Sequence, residues 1–220
     1  MSVLPVTLLV VAKAPEPGRA KTRLAATVGD VAAAEIAAAA LLDTLDAVVA
    51  APVARRVVAM TGDLDAAAGA GEIRQRLEAF SVIPQRGDDF ADRLANAHHD
   101  AADGHPVVQI GMDTPQVTAE LLTDCARRLR EAPAVLGPAD DGGWWVLGLR
   151  SPAAADCLRT VPMSQPDTGL LTYRALHDMG IAVYPAPRLA DFDFAADVAA
   201  VRQACGQASR FATVTRAAGL

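Results

Sequence analysis

The stretch VVAKAPEPGRAKTRL, from Val10 to Leu24, begins as an apolar run and ends as a positively charged loop. The run of small and branched apolar residues is typical of a buried strand that stops at a turn. The loop after it contains two prolines and a glycine. Its cations are Lys13, Arg19, Lys21 and Arg23. The whole chain has a formal net charge of -6, so this cluster of positive charge is a local feature that requires a local explanation.

Two familiar phosphate-binding motifs do not fit this loop. The P-loop pattern GxxxxGK[ST] requires two glycines that the Lys21-Thr22 pair lacks, because Ala20 precedes the lysine and Pro15 stands at the first glycine position. A GxGxxG motif does not follow the first strand either, which disfavours a dinucleotide-binding fold. If the loop binds phosphate, it does so by another arrangement.

The spacing of the cations favours such an arrangement. Arg19, Lys21 and Arg23 are two residues apart, so in an extended loop their side chains would project to one side. Guanidinium groups bind phosphate oxygens in bidentate fashion and lysine adds a mobile point charge, so together they could neutralise a di- or triphosphate. The alternative interpretation is a solvated surface loop whose cations balance nearby acids.

Short strand-like runs alternate with longer helical patterns along the chain. Strands are predicted at 7–12, 56–61, 81–84, 107–111, 134–137, 144–149 and 181–185. Helices are predicted at 30–51, 72–80, 89–103, 118–131, 168–179 and 194–204. This alternation predicts one α/β domain over residues 1–220, with a mostly parallel central sheet covered by helices on both faces. Ligands of such sheets bind beyond the carboxyl ends of the strands, where the strand order reverses.

Composition argues against several classes of function. The chain has 220 residues, 52% hydrophobic and 21% charged, so it can bury a core and is not disordered. Its acidic balance argues against general nucleic-acid binding, which needs broad positive charge. The three cysteines are far apart and suggest neither a zinc site nor a disulfide framework. The N-terminus lacks signal-peptide features, and acids interrupt the longest apolar segment, so we expect a cytoplasmic protein without a membrane span.

Four segments together resemble a family of small bacterial transferases with the GT-A, or nucleotide-diphospho-sugar transferase, fold. Members are usually labelled glycosyltransferases, and some are associated with arsenosugar biosynthesis. The segments are AKAPEPGRAKTRL (12–24), IGMDTPQVTAELL (110–122), LGPADDGGWWVLGL (136–149) and LADFDFAADV (189–198). They span almost the whole chain in the order of the family, and the first and third are the most specific. The resemblance implies a three-layer α/β/α fold with a Rossmann-like sheet.

The resemblance also implies roles for particular residues. The implied nucleotide-binding residues of the first loop are Lys13, Gly18, Arg19, Lys21 and Arg23. Asp113, which closes the middle strand, and Asp193, in DFDF, are implied as ligands of Mg²⁺ or Mn²⁺. The family more often reads DCPD where this chain reads Asp113-Thr-Pro-Gln116, and the DxD signature is absent, which puts the contribution of Gln116 in doubt. From residue types alone, Asp113 could instead organise the turn into Pro115.

Two further segments complete the candidate site. Asp141, in DDGG, is a candidate base or ligand of a sugar hydroxyl, and Gly142 and Gly143 would let the backbone approach an acceptor closely. A plain hairpin turn explains the Asp-Gly pair nearly as well. Arg93 follows the third strand, and we assign it to the border of the nucleotide, although a solvated helix start is an equally good interpretation.

These assignments favour one function and leave two alternatives open. The leading hypothesis is a metal-dependent transferase that moves a sugar from a nucleoside-diphosphate sugar to a small-molecule acceptor, with Asp113 and Asp141 as catalytic residues. The second is a nucleotidyltransferase that joins an NTP to a phosphorylated small molecule and releases pyrophosphate. The third is a non-catalytic nucleotide-binding module. The sequence leaves the base, the sugar, the acceptor and the oligomeric state open.

Overall fold

The computed structural model describes residues 2–220, and a seven-stranded sheet lies at its centre. In chain order the strands are β1 (Leu4–Lys13), β2 (Val53–Thr61), β3 (Ser81–Pro84), β4 (Val107–Gly111), β5 (Ala134–Pro138), β6 (Trp144–Leu149) and β7 (Val183–Pro185). β1 is buried along nearly its whole length because neighbouring strands and helices cover both of its faces. This explains why its sequence is a continuous apolar run.

The strands are arranged in the order β3-β2-β1-β4-β6-β5-β7. Every neighbouring pair is parallel except β4–β6 and β5–β6, so β6 alone runs against the others. β2 and β3 follow on one side of β1, and the next strand along the chain, β4, lies on the other side of β1. The order in which strands are added to the sheet therefore reverses between β1 and β4. The predicted mostly parallel α/β sheet is confirmed, and its switch point lies at the ends of these two strands.

Eight α-helices and one 3-10 helix lie between or after the strands in residues 2–220. The α-helices are α1 (Thr22–Val28), α2 (Asp30–Ala50), α3 (Ala70–Leu77), α4 (Phe90–Ala102), α5 (Ala119–Arg128), α6 (Thr168–Asp178), α7 (Ala195–Ala204) and α8 (Arg210–Ala217). The 3-10 helix is Pro152–Thr160. In the same part of the chain, no helix combines the length and the apolar character that crossing a lipid bilayer requires.

The helices form a layer on each face of the sheet. Leu41 of α2, Ile73 of α3 and Leu122 of α5 belong to the core on one face. Leu94 of α4 and Leu158 of the 3-10 helix belong to the core on the other face. These side chains are buried, so each layer removes apolar surface from water, which is the main favourable contribution to folding. The arrangement is the three-layer α/β/α architecture that the sequence predicts.

A third core cluster packs α1 and one face of α2 against the C-terminal part of the chain. Leu24 of α1, Phe192 and Phe211 of α8 are fully buried in it, and the rings of Phe192 and Phe211 are 4.6 Å apart. α1, α8 and the 3-10 helix were not predicted from the sequence. α1 is only seven residues long, its first residue has no side-chain cap and only Leu24 is buried, so its local pattern is too weak to identify.

Candidate functional site

The loops after β1, β4 and β5 meet at one edge of the sheet, where they enclose a cavity of about 400 Å³. A smaller cavity of about 260 Å³ lies on the side of the first loop. The two cavities share the lining residues Lys13, Lys21, Met112, Asp113 and Asp193. These shared residues lie at the switch point between β1 and β4, which is where ligands bind in sheets of this kind.

Lys21 is the central cation of this site, and its side chain is only 8% exposed. Its Nζ lies 2.9 Å from Oδ2 of Asp113 and 3.0 Å from Oδ1 of Asp193. Nζ also donates a hydrogen bond of 2.7 Å to the carbonyl oxygen of Phe192 and lies 4.3 Å from the centre of that ring. An ammonium group has three N–H donors, so Lys21 has as many acceptors as donors.

The charges of this cluster stabilise one another. Burial by itself lowers the pKa of Lys21, but the carboxylates of Asp113 and Asp193 outweigh that effect and raise it. Burial likewise raises the pKa of Asp193, while Lys21 and Arg23 lower it more strongly, so its pKa lies below the ordinary range. Arg23 contributes through its Nη1, 2.9 Å from Oδ2 of Asp193. Lys21 and Asp193 are therefore both charged near neutral pH.

Asp113 has one carboxylate oxygen without a partner. Oδ2 contacts Lys21, whereas Oδ1 is buried and accepts no hydrogen bond from any described residue. A buried carboxylate oxygen without a donor is costly, and a bound cation or a ligand proton would satisfy it. In residues 2–220, no three acidic, histidine or cysteine side chains are grouped closely enough to hold a metal alone. The donor set therefore fits a hard divalent cation that uses Asp113 and Asp193 and takes its other ligands from water or phosphate.

The first loop is not extended, which corrects the expected arrangement of its cations. The backbone N–H groups of Arg19 and Ala20 both donate to the Glu16 carbonyl, and Lys21 adopts a left-handed conformation with φ of 46° just before α1. As a result, Lys21 points inward while Arg19 is 70% exposed and forms an ion pair of 3.4 Å with Glu16. The three cations do not project to one side, because the turn and the start of α1 break the two-residue alternation.

The other two predicted residues of this loop shape its turn. Gly18 has φ of +75°, a conformation that residues with a Cβ rarely adopt. Lys13 Nζ donates 3.0 Å to the carbonyl oxygen of Arg19 and so connects the end of β1 to the far side of the loop. Lys13 lines both cavities, and Arg19 lines the smaller one. Their side chains therefore border the cavities at the end of β1.

Arg93 of α4 also lines the larger cavity. Its Nε is buried without a hydrogen-bond partner, and it forms no ion pair with any acid of the described chain. Its guanidinium group lies 5.8 Å from the ring of Phe90. A partly buried cation without a counterion indicates a place for an anion or another hydrogen-bond acceptor.

The DDGG loop adds another carboxylate, that of Asp141, to the lining of the larger cavity. Oδ1 of Asp141 accepts a 2.7 Å hydrogen bond from the backbone N–H of Gly143, so Asp141 stabilises its own turn. Asp191, Asp141 and Gly143 all line the cavity. Burial, followed by the negative charge of Asp141, raises the pKa of Asp191 to about 6. The sequence does not indicate this pair, because residues 141 and 191 are far apart in the chain and no local pattern shows that they meet.

The close approach that Gly142 permits is to the protein itself, which differs from the expected approach to an acceptor. Gly142 has φ of +90°, and a Cβ on it would overlap the carbonyl oxygen of Pro166. Gly169 of α6 donates 2.8 Å to the Gly142 carbonyl. Gly142 therefore packs the DDGG loop against the start of α6, while Gly143 faces the cavity.

Gln116 lies where the resembled family more often has an acid, and it does not face either cavity. It is buried, and its Nε2 donates to the carbonyl oxygen of Ala190. A carboxylate could not donate this bond. The glutamine therefore holds the loop after β4 against the segment that carries Asp191 and Asp193.

The strand order and the cavity at its switch point define an α/β protein with the nucleotide-diphospho-sugar transferase fold. The chain belongs to the bacterial family described as "Uncharacterized protein conserved in bacteria (DUF2064)", whose model matches residues 44–165. No curated protein matches the chain.

Solved structures from several proteins share this fold. A "putative nucleotide-diphospho-sugar transferase" from Desulfovibrio desulfuricans G20 is 24% identical with a TM-score of 0.85, over 99% of this chain and 95% of that chain. A CMP:2-keto-3-deoxy-manno-octonic acid synthetase complexed with CTP is 14% identical with a TM-score of 0.55, over 90% and 97%. Rv0371C of Mycobacterium tuberculosis H37Rv, in complex with manganese, is 19% identical with a TM-score of 0.52, over 86% and 92%. At these identities the likeness establishes the fold alone.

Proposed function

We propose that this protein is a metal-dependent transferase that moves a sugar from a nucleoside-diphosphate sugar to a small acceptor. One observation carries the proposal. Asp113, just after β4, and Asp193, just before α7, both contact cations of the first loop. Acids and cations together suit a substrate that combines phosphate with a metal ion. The fold is also that of transferases that use nucleotides.

Asp113 and Asp193 are the residues that would hold Mg²⁺ or Mn²⁺. The unpartnered Oδ1 of Asp113 supports this, and a protein of similar fold has been crystallised with manganese. When bound, such an ion would neutralise the negative charge that builds on the leaving diphosphate. The single acid after β4 suits magnesium and manganese, since these ions readily keep water and phosphate oxygens as ligands.

The cations of the first loop would bind and orient the diphosphate. Arg19 and Lys13 border the cavities with exposed charged groups, and Arg23 is 60% exposed while paired with Asp193. Arg93, which lines only the larger cavity, would donate a hydrogen bond to an acceptor atom of the nucleoside. This division places the charged part of the substrate at the first loop and the rest along β1 and α4.

The acceptor would enter beside Asp141 and Asp191. Their carboxyl groups lie on the side of the larger cavity formed by the DDGG loop. A carboxylate there could accept a proton from an acceptor hydroxyl, which is the role of a general base. Asp141 is our candidate for that base, with Asp191 beside it to keep the local charge negative.

A nucleotidyltransferase is the second candidate. One observation favours it: only a single acid, Asp113, follows β4, so the DxD signature of metal-dependent glycosyltransferases is missing. The similar fold of a synthetase that binds CTP adds to this alternative. Release of pyrophosphate from an NTP would separate it from sugar transfer.

The test is a substrate screen with matched variants. The protein is incubated with Mg²⁺ or Mn²⁺ and a panel of nucleotide sugars and NTPs, and both thermal stabilisation and product release are followed. We expect stabilisation by one class of nucleotide sugar and release of nucleoside diphosphate. Asp113→Asn should lower turnover by about a hundredfold or more, because it removes charge that acts on the transition state.

Asp124→Asn is the control for that variant, because Asp124 is exposed on α5 and pairs only with Arg127 of the same helix. Pyrophosphate release would contradict sugar transfer and support the second candidate. Tight nucleotide binding without any turnover, unchanged in Asp113→Asn, would instead identify a non-catalytic binding module.

A further inference from the structure

Lys21 cannot keep its present contacts with the two acids and also donate a hydrogen bond to a phosphate group. Its three N–H donors face Asp113, Asp193 and the Phe192 carbonyl, and its ammonium is nearly inaccessible to water. A phosphate oxygen could be bound only if at least one of these contacts were given up. Lys21 is therefore placed, in the absence of substrate, to neutralise the acids and not to hold an anion.

The same geometry restricts access of a divalent cation. Nζ of Lys21 lies 3.0 Å or less from one oxygen of each carboxylate, so it takes the position between them. A metal ion bound to both carboxylates would lie a few ångströms from the positive charge of a side chain that is only 8% exposed. Repulsion between such charges is strong at partly buried sites.

We propose that Lys21 is a resident counterion for Asp113 and Asp193, so that a divalent cation binds only together with a polyphosphate. The polyphosphate would offer the Lys21 ammonium new acceptors, and the carboxylates would then be free for the metal. The substrate class of the site is accordingly a metal–polyphosphate chelate, and free metal ion is excluded. This inference rests on the proposed function only in that it places the metal on Asp113 and Asp193.

Two features of Lys21 suit a side chain that changes partners. It lines both cavities, so its ammonium could turn from the acids towards a polyphosphate bound in either cavity without a shift of the sheet. It also lies at the junction of the loop and α1 in a left-handed conformation with φ of 46°, which is uncommon for lysine. Strained residues of this kind are concentrated at ligand sites and switch regions. Arg23 contacts the other oxygen of Asp193, so a change of partners by Lys21 alone would free Oδ1 of Asp193 and Oδ2 of Asp113.

The experiment measures the Mn²⁺ bound to the protein by equilibrium dialysis, with and without inorganic pyrophosphate in the dialysis buffer. For the wild-type protein at a fixed concentration of free Mn²⁺, we expect little bound metal alone and at least about tenfold tighter binding with pyrophosphate. Equal binding in the two conditions would overturn the proposal. This arm needs no variant and no enzymatic activity.

Variants of Lys21 test whether this residue is the cause. Lys21→Met keeps most of the length of the side chain but removes the charge. In the absence of pyrophosphate, this variant should bind Mn²⁺ at least about tenfold more tightly than the wild type does. Lys21→Arg should keep the weak binding of the wild type. Arg127→Met is the control, because Arg127 is exposed on α5 and pairs with Asp124 and not with the two acids; its Mn²⁺ affinity without pyrophosphate should change less than twofold.

A Lys21→Met protein that binds Mn²⁺ no better than the wild type would refute the role of Lys21. Thermal unfolding with and without Mn²⁺ shows that the variant is folded, and Mn²⁺ should stabilise it more than it stabilises the wild type. If Lys21→Met does not fold, the pyrophosphate comparison on the wild type decides alone. If sugar transfer is not found but these metal affinities are, the proposed reaction fails while the role of Lys21 stands.

Discussion

Burial shifts the pKa values of acidic and basic side chains in this protein in opposite directions. Burial raises the pKa of Asp191 to about 6, because a carboxylate loses hydration. Burial lowers the pKa of His98, in α4, to about 4, because an imidazolium loses hydration. His98 is completely buried, and its Nδ1 lies 3.1 Å from Oε1 of Gln109 in β4, whose chain leads to Asp113. The histidine is therefore neutral at physiological pH.

The neutral state of His98 predicts loss of stability in mild acid. The pKa of histidine is near 6.5 in the unfolded chain and about 4 in the folded protein, so the unfolded state binds more protons between these values. Stability is therefore fully present above pH 6.5 and falls as the pH drops towards 4. The loss from this group at pH 5 should be about 2 kcal/mol relative to pH 7.5.

The measurement is denaturant unfolding of the wild type and His98→Gln at pH 7.5 and pH 5. The variant has no titrating group at this position, so its stability should fall less between the two values. His177→Gln is the control, since His177 is 72% exposed at the end of α6. An equal fall in the wild type and His98→Gln would show that another group causes the acid sensitivity.

At the scale of secondary-structure elements, the site depends on how loops are fastened to helices. The DDGG loop is held against the start of α6 by the hydrogen bond from Gly169 to Gly142. The loop after β4 is fastened by Gln116 to the segment before Asp191. Contacts between elements therefore set the positions of Asp113, Asp141 and Asp193. Without these contacts, each loop would leave its acid free to move.

Gly142→Ala tests the contact between the DDGG loop and α6. The added Cβ would overlap the Pro166 carbonyl, and the residue would keep an unfavourable positive φ. We expect a loss of about 2 kcal/mol or more in the free energy of unfolding, measured with denaturant. Gly71→Ala in α3 is the control, because a Cβ there meets nothing within 4 Å and should be neutral or slightly stabilising. Equal stability of the two variants would contradict this role of Gly142.

At the scale of the whole molecule, α1 and α2 pack with the C-terminal part of the chain into one cluster that supports the site. Phe192 lies between Lys21, which contacts its ring and carbonyl, and Phe211 of α8. α8 is in turn fastened to α2, since Asp43 accepts the backbone N–H groups of Arg210 and Phe211. The C-terminal helix thereby stabilises the segment that carries Asp193.

Phe211→Ala should therefore affect the whole molecule. Removing a fully buried phenylalanine leaves a cavity and should cost about 3 kcal/mol or more. If the chain is one domain, as the sequence predicts, thermal unfolding will be a single cooperative transition in the wild type and will shift as a unit in the variant. Phe194→Ala is the control, because that ring is 52% exposed and should change stability little. Two separate transitions would indicate two folding units.

Local patterns in the sequence were sufficient to predict most of the sheet and its helices. The apolar run of β1 and the regular alternation with helices such as α2 depend on residues close together in the chain, and burial on two faces leaves a clear signal. The same holds for the cationic first loop, which directed attention to a phosphate site. Short elements such as α1 were missed because their stability comes from tertiary packing and not from their own seven residues.

The sequence by itself determined the α/β class, the family resemblance and the residue types at the end of each strand. Only the tertiary structure decided how those residues are paired. Lys21 and Asp193 are 172 positions apart, yet the ammonium and the carboxylate are in contact, and nothing in the spacing of the first loop indicates that one of its cations pairs with this acid. The physical reason is that a buried charge must be neutralised by whatever the fold brings beside it, and spacing along the chain carries no information about that neighbour.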